Sequence, residues 1–164
     1  MTKIGVISDT HGILDQKFLD FFEGCNQIWH AGDIGSPDII TDLKSLFPVV
    51  HAVYGNIDSW ELRTELPETD IFKVEELTVI LRHICGKPLY YNKQTQQLIE
   101  QHKPQILVCG HSHILKVQYD KKHNLLHINP GAAGISGFHK VRTAIRFIID
   151  GKNISDLKVF ELQR

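Results

Sequence analysis

Short apolar runs that end in polar, glycine-containing turns set the rhythm of the N-terminal third of the chain. Ile4 to Ile7 predicts a buried first strand. Leu14 to Phe22 then places Leu14, Phe18, Leu19, Phe21 and Phe22 at helical spacing before Gly24 stops it. Gln27 to Ala31 predicts a second strand. Ser36-Pro37 carries the cap and first-turn signature of a helix that turns Ile39, Ile40, Leu43 and Leu46 inward and ends before Pro48. Val49 to Tyr54 predicts the third strand. Such a β-α-β-α-β series closes by right-handed crossovers into a parallel sheet with its functional loops at the carboxyl ends of the strands.

The pattern then changes. Ile71 to Val74 and Leu77 to Leu81 read as two strands joined at Glu75-Glu76, and Asn92 predicts the cap of a helix running to His102. Pro104 precedes another apolar strand, Ile106 to Cys109. A hairpin, Leu115 to Tyr119 with Leu125 to Ile128, and two terminal strands, Thr143 to Ile149 and Ile154 to Leu162, complete the series. Two packed sheets with helices outside are expected. No internal repeat or long linker divides the chain, so one domain over residues 1–164 is expected, long enough to bury roughly 68–70% of the surface its unfolded form exposes.

Polar chemistry concentrates where these strands end. Asp9-Thr10-His11, Gly32-Asp33, Gly55-Asn56, His83 and Gly110-His111-Ser112-His113 each follow a strand-like run. Each has an ordinary explanation in isolation: Gly-Asp and Gly-Asn are turn chemistry, and a lone histidine is more often a packed or hydrogen-bonded one. Together they differ, because the first three terminate consecutive strands of one sheet and the fold delivers them to a common edge. Carboxylate, amide and imidazole donors gathered there suit two divalent cations. His30 and His51, within strands, are expected to be structural. His102 and His123 are expected to face solvent.

Net charge is -1 and the basic residues are scattered, which gives no electrostatic reason to expect a nucleic acid partner. Cys25, Cys85 and Cys109 form no CxxC pair and no even set, so three packing thiols in a reducing compartment are expected. The N-terminus enters a strand without a signal-like segment, and no apolar run approaches the ~18 residues of a membrane span. A cytoplasmic protein without a membrane partner follows as the expectation. The sequence leaves a homo-oligomer open.

The ordered set D-x-H, G-D, G-N-x-[DE], a lone His and G-H-x-H, followed by Asn129-Pro130-Gly131, resembles the calcineurin-like metallophosphoesterase superfamily, in its compact phosphodiesterase branch. The resemblance spans essentially the whole chain. It implies an α/β fold, a four-layer α/β/β/α sandwich of two mixed sheets flanked by helices. It also implies one metal on Asp9, His11, Asp33 and His113 and a second on Asp33, Asn56, His83 and His111, with Asp33 bridging. Manganese is the expected ion, with nickel, iron or zinc as alternatives. The implied reaction is hydrolysis of a small phosphorylated substrate, foremost a phosphate diester, by in-line attack of a metal-bridging hydroxide. Asp33, Asn56 and His111 are the residues expected to take part in catalysis, and N–H groups around Gly131 are expected to meet phosphate oxygens.

Three departures stand out. Many members have G-N-H-[DE], whose His can protonate a leaving alkoxide; here Ile57 occupies that place and transfers no proton. The lone ligand His is often followed by Gly, whereas His83 is followed by Ile84-Cys85-Gly86. Ala132 stands where a Ser is common. The rival functions are a non-catalytic scaffold of the retromer-subunit type, a nuclease, which the absence of a basic aromatic track disfavours, and a zinc amide hydrolase, whose H-x-H-x-D-H signature is absent.

Overall fold

A computed structural model describes residues 1–164. In chain order the elements are β1 (Thr2–Ile7), α1 (Gln16–Phe21), β2 (Gln27–His30), α2 (Pro37–Leu46), β3 (Val49–Ala52), α3 (Trp60–Glu65), β4 (Thr69–Val74), β5 (Leu77–Arg82), β6 (Gly86–Lys87), β7 (Tyr90–Tyr91), α4 (Lys93–His102), β8 (Ile106–Val108), β9 (Leu115–Asp120), β10 (Leu125–Pro130), β11 (Val141–Asp150) and β12 (Asn153–Gln163). Each helix starts on a side-chain oxygen that accepts an otherwise orphan N–H: Asp15, Ser36, Ser59 and Asn92, respectively.

Two five-stranded mixed sheets form, in the orders β12-β11-β1-β2-β3 and β4-β5-β8-β10-β9. The centre of each is parallel: β1, β2 and β3 in the first, β5, β8 and β10 in the second. Antiparallel strands complete them, β11 and β12 on one side of the first sheet, β4 and β9 on the flanks of the second.

Alternation along each strand fixes the layers. Ile4, Val6, Trp29, Val79, Leu81, Ile106, Val108 and Ile128 meet between the sheets. The intervening residues Ile7 and Ile28 face outward onto Phe18, Phe22, Ile40, Leu43 and Leu62 of the α1–α3 region. Ile80 and Leu107 face outward onto Ile99 of α4 and Tyr91. The expected α/β/β/α sandwich is therefore the observed one. Gly5 is required where Phe22 and Ile28 cross β1, because a Cβ there would come within 2.6 Å of Phe22 Cδ1.

Several expectations need correction. The apolar pattern announces neither α3, whose single buried residue Leu62 leaves no periodic signal, nor the two-residue strands β6 and β7. Cys85 and Cys109 are joined as a disulfide, with Cα atoms 6.1 Å apart, so only buried Cys25 is a free thiol. The pair arises because β5 lies beside β8, which sets the residues just past their ends against each other. His123 and His102 are half-buried rather than solvent-facing, and His123 Nδ1 lies 2.6 Å from Asp120 Oδ2. No helix is long and apolar enough to cross a membrane.

Candidate metal centre

All seven residues nominated from the sequence come together beyond the carboxyl ends of the parallel strands. Asp9 and His11 follow β1, Asp33 follows β2, Asn56 follows β3, His83 follows β5, and His111 and His113 follow β8. Their ligand atoms fall into two compact groups. Asp9, His11 and His113 form one, and Asp33, His83 and His111 form the other, each with its ligand atoms within 4.8 Å of one another. Asn56 joins the second group: its Oδ1 lies 3.1 Å from His83 Nε2 and 3.0 Å from His111 Nδ1. Asp33 Oδ2 lies between the groups, 3.2 Å from His83 Nε2 and 3.6 Å from His11 Nε2.

The backbone is bent to make this possible. Asp9, His11, Asp33, His111 and His113 all have positive φ, between 47° and 70°, a region that is uncommon for residues with a Cβ. Gly110 lets the second sheet's loop close on the first, since a Cβ there would collide with Ser8 Oγ and crowd Asp9 Oδ2. Hydrogen bonds then lock the turns. Ser8 Oγ and His111 N–H donate to Asp9 Oδ2 at 2.6 and 3.1 Å, and Ile57 N–H donates to Asp33 Oδ1 at 3.0 Å.

Residues behind the ligands carry much of this order. The buried Asp58 carboxylate accepts N–H groups from Ile34, Gly35 and Gly55 at 3.1, 2.8 and 2.8 Å, pinning the Asp33 and Asn56 turns together. Gly32 N–H points at His30 Nδ1, which leaves His30 Nε2–H to donate to Thr10 Oγ1 and the Thr10 hydroxyl to donate to Ile34 O. His30 is structural, as expected, and burial pushes its pKa down to about 4. On the other sheet, Asn129 Nδ2 donates to Gly110 O and Ser112 Oγ. Asp58 lies within the G-N-x-[DE] pattern; the Asn129 contact had no signal beyond its place in the trailing Asn129-Pro130-Gly131 loop.

The Gly131 loop does not serve as expected. Its Gly131 N–H donates to Asn129 Oδ1 within the loop, and its Ala133 and Gly134 N–H groups donate to Ser8 O and Asp9 O and brace the Asp9 turn, so none of the three is offered to a phosphate.

Electrostatics favour ionised carboxylates facing imidazoles. Burial works to raise the Asp9 pKa, but the imidazoles of His11 and His113 facing it, with His83 and the Ser8 hydroxyl, hold it far below the usual range. Asp33 behaves alike, burial opposed by His83, and is lowered. His11 is raised chiefly by the Asp9 carboxylate it faces, 3.9 Å from its Nε2. His83 is raised despite burial by Asp33 and Asp9.

The donor set fits a pair of divalent cations on the protein's own geometry. Asp9 Oδ1 and His11 Nε2 are buried without any hydrogen-bond partner, and both belong to the first group. His83 Nδ1 lies 2.7 Å from Ala31 O, an arrangement that commits its proton to the backbone and leaves the Nε2 lone pair facing Asp33 and Asn56.

Comparison with known proteins agrees. Residues 2–152 match the calcineurin-like phosphoesterase superfamily domain. A probable metallophosphoesterase of Methanothermobacter thermautotrophicus is 34% identical over 134 residues, 79% of this chain and 76% of the relative. One of Mycoplasma pneumoniae is 31% identical over 166 residues, 96% of each chain. Among solved structures, an archaeal phosphodiesterase superposes with a TM-score of 0.74 at 20% identity, covering 98% of this chain and 99% of that one. The zinc-complexed Vps29 of Entamoeba histolytica gives 0.76 at 20% identity, with 98% of each chain covered. At such identity the structural likeness speaks to fold. The domain match and the two relatives go further: the chain belongs to the calcineurin-like phosphoesterase superfamily.

Proposed function

We propose that the protein is a binuclear-metal-dependent phosphodiesterase acting on small phosphate diesters. The observation that carries the reading is the partnerless pair Asp9 Oδ1 and His11 Nε2, buried among donors that divide into two adjacent groups around Asp33. Asp9, His11, Asp33 and His113 would hold one ion, and Asp33, Asn56, His83 and His111 the other. Two such ions supply a nucleophile generated from water near neutral pH and neutralise charge on the phosphoryl oxygens.

The chain's own residues supply the rest. Asp33 links the two halves, and Asn56 Oδ1 sits between the ring nitrogens of His83 and His111, where the three atoms could hold the same ion. Ala31 O fixes the His83 ring, and the Asp58 carboxylate fixes the backbone of the Asp33 and Asn56 turns. His111 is exposed at the rim, where it can touch a substrate oxygen. Ile57, next to Asn56 in the chain, is 46% exposed and offers no proton.

Elemental analysis and anomalous scattering on manganese-loaded protein, with turnover of bis(4-nitrophenyl) phosphate, test the proposal. Two ions on these residues together with hydrolysis are expected. Metal coordinated elsewhere would overturn the ligand assignment. Two bound ions without turnover of any mono- or diester would favour the scaffold function, to which the Vps29-like fold lends weight.

A further inference from the structure

Beside Asn56 and His83 the surface opens into a cleft of about 190 Å³ whose walls carry two guanidinium groups, Arg63 and Arg82, with Tyr54 and Glu68. Arg82 is 3% exposed. Its hydrogen bonds go to neutral acceptors: Nε to Ile84 O at 3.1 Å, Nη1 to Thr69 Oγ1 at 3.2 Å and Nη2 to Gln94 Oε1 at 2.8 Å. The carboxylate in reach is Glu68, 3.7 Å from Nη2 and 55% exposed. Arg63 donates only to the backbone carbonyls of Gly55, Asn56 and Asp58, and its guanidinium lies 5.0 Å from the centre of the Tyr54 ring.

A buried guanidinium whose hydrogen bonds all go to neutral acceptors, with only the half-exposed Glu68 carboxylate at 3.7 Å to offset its charge, is costly for folding alone. Five N–H groups on each residue exceed the bonds made within the protein, so donors remain for a ligand. Planar donors of this kind match phosphate and carboxylate oxygens. The cleft also shares Asn56 and His83 with the metal centre, so a molecule held at one place reaches the other. Two local cations on an otherwise near-neutral chain suit a small anion rather than a polyanionic strand.

We propose that this cleft is an anion subsite that takes a second phosphate or a carboxylate on the arm of the substrate that is not cleaved. The inference rests on the phosphodiesterase reading and narrows it to diesters with one charged arm. Glu68, at the wall, competes for Arg82 Nη2 and yields its place to the arriving anion.

The test compares kcat/KM for 4-nitrophenyl phosphodiesters whose second arm is a plain alkyl, a carboxyalkyl or a phosphoalkyl group. The wild type is expected to favour the anionic arms, and the better of the two identifies the anion. Arg82→Gln and Arg63→Gln should each lower that preference about tenfold or more, whereas Arg82→Lys should keep part of it and Glu68→Gln should raise it. A second readout needs neither metal nor catalysis: the Nε–H resonances of Arg63 and Arg82 in metal-free protein should shift on titration with inorganic phosphate, less so at high salt. An unchanged preference across Arg63→Gln, Arg82→Lys and Glu68→Gln, together with immobile Nε–H resonances, overturns the subsite. If metal-loaded protein turns over none of the diesters, the proposed function falls, and the phosphate titration alone decides the subsite.

Discussion

The two sheets make unequal contributions to the centre. The first sheet delivers both carboxylates, the amide and His11, with Asp9 and Asp33 only 0% and 2% exposed. The second delivers three imidazoles, of which His111 is exposed and His113 partly so. The first side is set by a buried network through Asp58, Thr10 and His30. The second is steadied by Asn129 and the Cys85–Cys109 link around more open loops. The carboxylates and their buried network thus reside in one sheet, and imidazole nitrogens, two of them more open to solvent, in the other. Losses on the first side should spread across the whole site, while losses on the second should stay local.

The largest test of that asymmetry is Asp33→Asn against His83→Ala. Asp33 lies between both donor groups, so neutralising it should weaken both ions and cut activity more than about 100-fold, beyond the usual range for partners outside the coordination shell. His83→Ala should weaken one ion. Metal titrations and turnover at saturating metal check this, and equal residual activity in the two variants would remove the special role of Asp33.

Acid stability probes the second sheet away from the candidate metal centre. Burial holds His127 neutral and pushes its pKa down to about 4, with Lys116 lowering it further and Asp120 opposing. The unfolded chain therefore binds more protons between about pH 6.5 and 4, and stability rises with pH across that window. About 3 kcal/mol is present above pH 6.5 and is lost as the pH falls to 4. Urea midpoints for wild type and His127→Gln should converge on acidification, and parallel curves would contradict the assignment.

Next in size is Asp58→Asn. The amide leaves at least one of three buried N–H donors facing another donor, which should cost about 1–3 kcal/mol of stability and roughly 10–100-fold in metal affinity. If Asn129→Ala lowers metal affinity as much, the division between the sheets is wrong. The smallest effect is expected at Ile57. Without an acid there, rates should depend steeply on leaving-group pKa, and Ile57→His should speed alkyl leaving groups about tenfold, below the usual span of general acid catalysis. A flat wild-type dependence, with chemistry rate-limiting, would show that another group already donates the proton.

The sequence revealed most where function and fold use the same signal. Buried parallel strands read as apolar runs, and the turn after each carries a donor, so Ile4 to Ile7 followed by Asp9 announces strand and site together. Elements without burial stayed silent: α3 buries Leu62 alone, and β6 and β7 are too short to alternate. Features that depend on sheet order were equally hidden. The Cys85–Cys109 link and the Arg63–Arg82 cleft exist only because β5 runs beside β8 and because the turn after β3 faces His83. The Gly131 loop differs from expectation because Asn129 takes its Gly131 N–H locally and the turn after β1, far away in sequence, takes those of Ala133 and Gly134.

The left-handed backbone at five of the proposed ligand positions should divide tolerance from activity in any saturation library. Glycine, asparagine and aspartate accept that conformation readily, whereas valine and isoleucine do not. At His11 and His113, glycine should therefore yield abundant, heat-resistant and inactive protein, while valine should yield little protein at all. An abundance map and an activity map of the same library would disagree most sharply at these positions, and that disagreement alone would locate the centre, whatever reaction it runs.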